Sequence, residues 1–270
     1  MVGFGWFLTT NNDWEHILSN HLMQERRNYI KKRLIADGSI KVSDLSSFFD
    51  VSSETIRKDL IYLEENGIAK KEYGGAVALS GAFEPSFKLK SVTHLEEKTR
   101  IANEALSRIE SGMSLILDAG STVYALAKAL AIRRDITVFT NGVKAAQVLD
   151  EYGITTYILG GKIRSNSNAI VGNWALRNLR EIKVDLAILG TSGFEGRTGP
   201  CVEGFSEAAI KSAMIESGNK VIVLGDASKS NKQAVVEFAK WSEIDELITD
   251  SRIGADVANI IKEQTILTIV

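Results

Sequence analysis

Asp50-Val51-Ser52-Ser53-Glu54-Thr55-Ile56-Arg57-Lys58-Asp59-Leu60 reads as a tight turn running into a capped helix. Ser52 suits the N-cap, because a serine hydroxyl accepts from an amide of the first turn. Ile56, Leu60 and Leu63 recur at i, i+4 and i+7 and form one buried stripe. Ser53, Glu54, Arg57 and Lys58 fall off that stripe, toward solvent or a partner. Upstream, Ile30 and Leu34 share one face of an earlier helix that Gly38 stops. Ser43 reads as the cap of a second short helix carrying Leu45, Phe48 and Phe49. Downstream, Gly67 ends the third helix, and residues 68–72 and 73–77 read as two short strands around a turn. Two helices joined by a tight turn, the second exposing Ser, Thr, Arg and Lys, form helix-turn-helix grammar followed by a wing. The competing reading of this pattern is a small helical subdomain whose charged face is merely solvated. Local charge does not decide between them: residues 24–77 hold ten Lys or Arg and nine Asp or Glu.

The whole chain is similarly balanced, with 32 Lys plus Arg against 34 Asp plus Glu over 270 residues. Apolar residues at 44% and charged residues at 24% exclude a disordered, collagenous or mucin-like chain. The single cysteine, Cys201, cannot form an internal disulfide, which fits a reducing, cytoplasmic setting. The apolar cluster Gly3-Phe4-Gly5-Trp6-Phe7-Leu8 is far shorter than the ~20 residues of a spanning helix, so no membrane partner is expected. Residues 1–22 contain no Lys or Arg, and the charged text Gln24-Glu25-Arg26-Arg27 begins just after Met23. Residues 1–22 are therefore either a true N-terminal extension or sequence upstream of a start at Met23.

Beyond the wing the grammar changes. Residues 78–95, with Ser80-Gly81-Ala82 and Glu84-Pro85, read as a linker. From residue 96 to 270, apolar runs alternate with helical segments. Strands are expected at 114–117, 137–140, 155–159, 185–189, 220–224, 246–248 and 265–269. Helices are expected from 96 and at 122–132, 143–151, 173–179, 206–216 and 255–262. Such alternation argues an α/β domain with a mostly parallel sheet covered on both faces. Ligands of such sheets bind at the carboxyl ends of the strands.

Polar residues collect at those ends. Asp118-Ala119-Gly120-Ser121-Thr122 joins a strand to a helix, and a glycine with hydroxyls at a helix N-terminus suits an anion. Thr140-Asn141-Gly142, Gly160-Gly161-Lys162-Ile163-Arg164, Gly190-Thr191-Ser192-Gly193 and Asp226-Ala227-Ser228-Lys229 close four further strands. Five such loops in successive strand-helix units point to a phosphate-bearing ligand. No dinucleotide, Walker or nucleophile-elbow motif is present. His16, His21 and His94 lie outside these loops, no metal or cofactor is called for, and Cys201 reads as a packing residue.

Residues 26–60, with Arg26, Ile30 and Leu34 followed by Ser52 to Leu60, resemble the helix-turn-helix signature of the DeoR family of bacterial transcriptional regulators. Leu63-Glu64 and Tyr73-Gly74-Gly75-Ala76 resemble the family's helix end and wing. Residues 97–250 are similar to its effector domain, through Asp118-x-Gly-Ser-Thr, Thr140-Asn141, Gly160-Gly161 with Arg164, Glu207-Ala208-x-x-Lys211 and Asp226-x-Ser228-Lys229. The resemblance implies a winged helix-turn-helix domain over 23–77 and an effector domain over 96–270, the latter similar in fold to sugar-phosphate isomerases. It implies a cytoplasmic homo-oligomer, dimer or tetramer, that binds double-stranded operator DNA under control of a phosphorylated sugar. Ser52, Ser53, Thr55, Arg57, Lys58, Lys70, Lys71 and Tyr73 would face DNA. Gly120, Ser121 and Thr122 would hold the phosphate. Asp118, Thr140, Asn141, Lys162, Arg164, Glu207, Lys211, Asp226 and Lys229 would border the sugar. Asp59 is awkward beside DNA and is expected to hold Arg57 or Lys58 locally. One loop departs from the family: Gly190-Thr191-Ser192-Gly193-Phe194-Glu195 stands where many members carry a Gly-Ala-Asp-Gly-like sequence, so a carboxylate is replaced by small residues. The alternative is an isomerase- or deaminase-like enzyme with an accessory helix-turn-helix, with Glu207 or Asp118 as base.

Overall fold

Ile30 and Leu34 lie on a helix through residues 22–34 (α1) and are wholly buried against Leu45, Ile56, Leu60 and Leu63. Those partners come from α2 (Val42–Phe49) and α3 (Ser53–Glu65). The computed structural model describes residues 22–34, 39–66, 68–78 and 85–270, so the expectations for residues 1–21, Gly38, Gly67 and Ser80-Gly81-Ala82 lie outside the described residues. It divides into two units, Met1–Pro85 and Ser86–Val270.

In the first unit Asp50 takes a left-handed conformation, φ +51°, and closes the turn between α2 and α3. Ser52 caps α3, its Oγ accepting from the Thr55 amide at 3.2 Å. Ser43 is not the cap of α2. That helix begins at Val42, and Ser43 Oγ donates to Asp44 Oδ1 at 2.9 Å instead. The reason is a strand that local reading does not show. β1 (Ser39–Lys41) pairs antiparallel with β3 (Gly75–Ala78), which pairs with β2 (Ala69–Glu72), and this draws the chain straight into the helix. Tyr73 and Gly74 form the tip of the β2–β3 wing, with Gly74 at φ +79°, where a side chain is strained.

The second unit opens on a helix, α4 (Phe87–Val92), inside the segment expected to be linker. Ser86 caps it and Phe87 is buried, so this half of the linker is ordered by packing. Then follow α5 (Leu95–Leu106), β4 (Ser114–Leu117), α6 (Ser121–Ala129), β5 (Thr137–Thr140), α7 (Val143–Glu151) and β6 (Thr155–Ile158). A small antiparallel hairpin, β7 (Lys162–Arg164) and β8 (Ala169–Val171), precedes α8 (Asn173–Arg180) and β9 (Val184–Gly190). The rest is β10 (Cys201–Val202), α9 (Phe205–Ser217), β11 (Gly218–Leu224), β12 (Val236–Glu237), β13 (Glu246–Thr249), α10 (Ala255–Lys262) and β14 (Ile266–Ile269). All seven strands expected from the alternation form one parallel sheet, in the order β14-β13-β11-β9-β4-β5-β6. The β7–β8 hairpin and the β10–β12 pair were not expected: strands of two or three residues are too short to show a period of two, and β10 finds β12 more than thirty positions away.

Strand residues alternate between two cores. Leu115, Leu117, Ile222 and Leu224 pack with α5, α6 and α7, while Ile116, Ala187, Val221 and Val223 pack with α8, α9 and α10. The chain winds outward through β4, β5 and β6, then returns to build the other half from β9. The switch point lies between β4 and β9, and in sheets of this kind ligands bind beyond the carboxyl ends at that point.

Candidate functional site

On α3, Ser53, Arg57 and Lys58 are exposed. Among the described residues Arg57 pairs with Glu54, at 3.7 Å, an exposed pair of little energy. Thr55 is half-buried, and its hydroxyl lies 2.9 Å from Ser52 Oγ, so it belongs to the cap. Lys70 and Lys71 are exposed on β2, and Tyr73 is fully exposed at the wing tip. Asp59 does not hold Arg57 or Lys58. It is buried and accepts from Arg26 Nε at 2.5 Å and Arg27 Nε at 2.8 Å, both on α1. A helix turns one face inward every three to four residues, and Asp59 sits beside Ile56, Leu60 and Leu63 on that face. Arg57 and Lys58 therefore stay on the exposed side of α3.

At the switch point Asp118, just past β4, is 3% exposed. Its Oδ2 accepts from the Gly190 amide at 3.0 Å and from Lys211 Nζ of α9. Lys211 also donates to Gly190 O at 2.8 Å. The pair ties β4, β9 and α9 together, and it leaves Asp118 occupied as an acceptor rather than poised as a base. Gly120, Ser121 and Thr122 follow at the start of α6, which has no side-chain cap. Gly120 has φ −68°, and a Cβ there would meet Gly190 Cα at an ordinary 3.5 Å. The fold itself therefore does not demand a glycine at this place. Gly193 is different, since a Cβ would lie 2.1 Å from Lys232 O.

Thr140 is wholly buried; its hydroxyl donates to Leu117 O at 2.6 Å and accepts from the Gly142 amide at 2.9 Å. Asn141 Nδ2 donates to Ile170 O at 3.3 Å, while its Oδ1 is buried without a partner among the described residues. Arg164 of β7 and Glu207 of α9 come together at 3.4 Å. Lys162 is exposed and lines a surface groove with Asn173 and Trp174. Asp226 is fully buried beyond β11; Oδ1 accepts from the Ser228 amide and hydroxyl, and among the described residues Oδ2 has no hydrogen bond, with Lys229 Nζ 3.9 Å away. Burial pushes the Asp226 carboxyl up, but Lys229, Ser228 and Lys98 outweigh it and hold it below the usual carboxylate range. Burial likewise pushes Lys229 down, against the pull of Asp226.

Lys98 was not among the expected site residues. It is 2% exposed, and burial lowers it to about 8 although Asp226 pulls the other way. Its ammonium donates to Lys90 O at 2.5 Å and Thr93 O at 2.7 Å. The sequence does carry a signal for it: Lys98 stands at i−3 of Ile101, at the head of the stripe Ile101, Ala102, Ala105, so a charge is placed on a buried face. Cys201 is buried, and burial raises its thiol to about 11, which removes it as a nucleophile. Among the described residues no group of His, Cys, Asp and Glu could hold a metal, and no helix is long and apolar enough to cross a membrane.

Residues 26–81 match the DeoR-like helix-turn-helix domain, and residues 93–251 match the DeoR C terminal sensor domain. The chain belongs to the DeoR family. Its DeoR-type relatives include the transcriptional regulator GlpR of Haloferax volcanii, 32% identical over 87% of this chain and 92% of the relative. The transcriptional repressor GlcR of Bacillus subtilis is 35% identical over 82% and 89%. The glycerol-3-phosphate regulon repressor of Escherichia coli K12 is 29% identical over 90% and 96%. Among solved structures, a ribose 5-phosphate isomerase of Methanocaldococcus jannaschii aligns with TM-score 0.37 at 22% identity, over 49% of this chain and 52% of the isomerase. The chain spans about half the length of the ribose 5-phosphate isomerases it matches. The DeoR assignment makes the protein a transcriptional regulator, and the reading as an isomerase or deaminase falls away.

Proposed function

We propose that this DeoR-type chain is a cytoplasmic repressor of a carbohydrate-utilisation operon whose operator binding is controlled by a phosphorylated sugar. The observation that carries the reading is the pairing, on one chain, of a capped α3 with exposed Arg57 and Lys58 and an α6 N-terminus without a side-chain cap at a parallel-sheet switch point. Arg57 and Lys58 contact bases or phosphates in the major groove, with Ser52, Ser53 and Thr55 at the helix start. Lys70, Lys71 and Tyr73 carry the wing to the backbone. The reader is only mildly basic, so a homo-oligomer presenting paired α3 helices supplies much of the affinity.

In the sensor domain Gly120, Ser121 and Thr122 offer amides and hydroxyls to the phosphate. Asn141, Lys162, Arg164, Glu207 and Lys229 border the sugar, and Asp118, Thr140, Lys211 and Asp226 hold the walls of that site. The unpartnered Oδ1 of Asn141 and Oδ2 of Asp226 suit hydroxyl donors of a sugar. The ligand changes operator affinity only as far as it binds two arrangements unequally. Footprinting of the DNA upstream of the chain's own gene, with and without a panel of sugar phosphates, tests this. A protected site that shifts with one sugar phosphate supports it. A site absent, or indifferent to the whole panel, refutes the repressor or the sensing part respectively.

A further inference from the structure

Phe87 to Val92, the helix α4, is the first element of the second unit, two residues beyond Pro85. Only Phe87 of its six residues is buried, so its place is set by a few ties rather than by a core of its own. Each tie runs to a different part of the strand-end region. The Phe87 amide donates to Asn166 O at 2.7 Å, in the turn of the β7–β8 hairpin that carries Arg164 and, through it, Glu207. The Phe87 ring meets Tyr124 of α6 edge-on at 5.4 Å, two residues past Thr122. At the far end of α4, the Lys98 ammonium donates to Lys90 O and Thr93 O. Lys98 lies on α5, which packs on β11, and its charge is felt by Asp226 and Lys229 at the end of that strand.

The chemistry of the third tie is unbalanced. A buried ammonium is bonded here to neutral carbonyls, and an anion would add to such a bond the Coulomb attraction of an opposite charge at a site of low dielectric. An anion brought to the ends of β4 and β11 therefore competes for Lys98 with the last turn of α4. Close-packed interiors pass such a displacement on rather than absorb it.

We propose that α4 is the element through which a phosphorylated ligand at the strand ends acts on the chain leading to the DNA reader, with Lys98 and Phe87 as its positioning residues. The inference rests on the sugar-phosphate reading above and adds the route of the signal. Ligand arrival draws Lys98 from the Lys90 and Thr93 carbonyls and loosens α4, the first element of the second unit after Pro85. Without ligand the three ties hold α4 in one place.

The test uses the full chain, a duplex selected by it from a random DNA library, and a panel holding ribose 5-phosphate, glucosamine 6-phosphate, fructose 1-phosphate and glycerol 3-phosphate. Operator affinity is measured by fluorescence anisotropy, and ligand binding separately by thermal shift, for the wild type, Lys98→Met, Lys98→Arg, Phe87→Ala and the milder Phe87→Leu. In the wild type one panel member changes operator affinity by about tenfold or more, the usual size of such coupling. In the Phe87 variants the same compound still raises the melting temperature, while the ratio of operator affinities with and without it falls toward one; Lys98→Met lowers that ratio too and also loses part of the rise, since it removes the cation drawn to the ligand. Lys98→Arg, which keeps the cation, restores part of the ratio. A ratio unchanged in both Lys98→Met and Phe87→Leu overturns the role of α4 and leaves the sensing reading standing. A wild type indifferent to every panel member, in affinity and in melting temperature alike, overturns both.

Discussion

Asp59 of α3 is held by Arg26 of the first helix at 2.5 Å, with Arg27 at 2.8 Å on its other oxygen. The carboxylate is 1% exposed and the two arginines 15% and 16%, so the cluster acts as an internal clamp that sets the angle of α3 against α1. Removing one partner of such a pair strands the other. Asp59→Ala should destabilise the first unit by on the order of 3 kcal/mol. Urea unfolding followed by far-UV circular dichroism will read this, and a loss under ~1 kcal/mol would refute the clamp.

Arg57 is the opposite case, exposed and weakly paired. Arg57→Ala should leave the unfolding midpoint almost unchanged, yet cost about 1–3 kcal/mol of discrimination at one operator position if it reads a guanine. Lys58→Ala should instead weaken all duplexes alike and lower the salt slope. Anisotropy titrations on matched and single-mismatch duplexes at several salt concentrations distinguish the two. Uniform weakening by Arg57→Ala would show a phosphate contact only.

Lys211 and Asp118 form the buried tie at the switch point. Lys211→Met leaves Asp118 buried and charged beside Gly190, and should cost about 3–5 kcal/mol in the second unit. The double variant Asp118→Leu/Lys211→Met removes both charges and should recover much of that loss. A double-mutant cycle by chemical denaturation checks it, and strictly additive losses would contradict the pairing.

Gly120→Ala adds a methyl that meets only ordinary contacts at 3.5 and 3.6 Å. Folding stability should change by less than ~1 kcal/mol, the usual scale of a glycine-to-alanine exchange. The rise in melting temperature caused by a sugar phosphate should be lost, because the methyl occupies the approach to the α6 amides. A variant that keeps the full ligand-induced rise would place the phosphate elsewhere.

Lys98 makes stability depend on pH in a defined window. Burial depresses it from 10.5 to about 8, with Asp226 and Glu97 pulling up and Lys229 and Lys90 pushing down. Below pH 8 the folded and unfolded chains both carry the proton. Between about 8 and 10.5 the unfolded chain holds more protons, so this group's contribution becomes more favourable as pH rises. The stability of wild type minus that of Lys98→Met should therefore climb by up to about 3 kcal/mol across this window. Thermal denaturation at pH 7.5, 8.5 and 9.5 provides the comparison, and a flat difference would argue against a depressed lysine.

Period and capping are local physics, and they determined much of this protein from residue order alone. The Ile56-Leu60-Leu63 stripe, the Ser52 cap and the apolar runs of all seven sheet strands are set by neighbours within a few residues, so they are legible before any folding is known. The strand-end loops are legible for the same reason, since a parallel sheet places its crossovers predictably. Tertiary structure alone decided which charges meet. Asp59 chose Arg26 and Arg27, 33 and 32 positions away, over the adjacent Arg57 and Lys58, because helix geometry turns it inward. Asp118 found Lys211 across 93 positions, and β1, pairing with the wing, moved the start of α2 away from Ser43. Lys98 sits on an apolar stripe where its charge is out of pattern, and only the packed fold supplies the carbonyls of α4 that hold it. Ion pairs and hydrogen bonds act over a few ångströms, and which groups come that close is a property of the whole chain's packing rather than of any one segment.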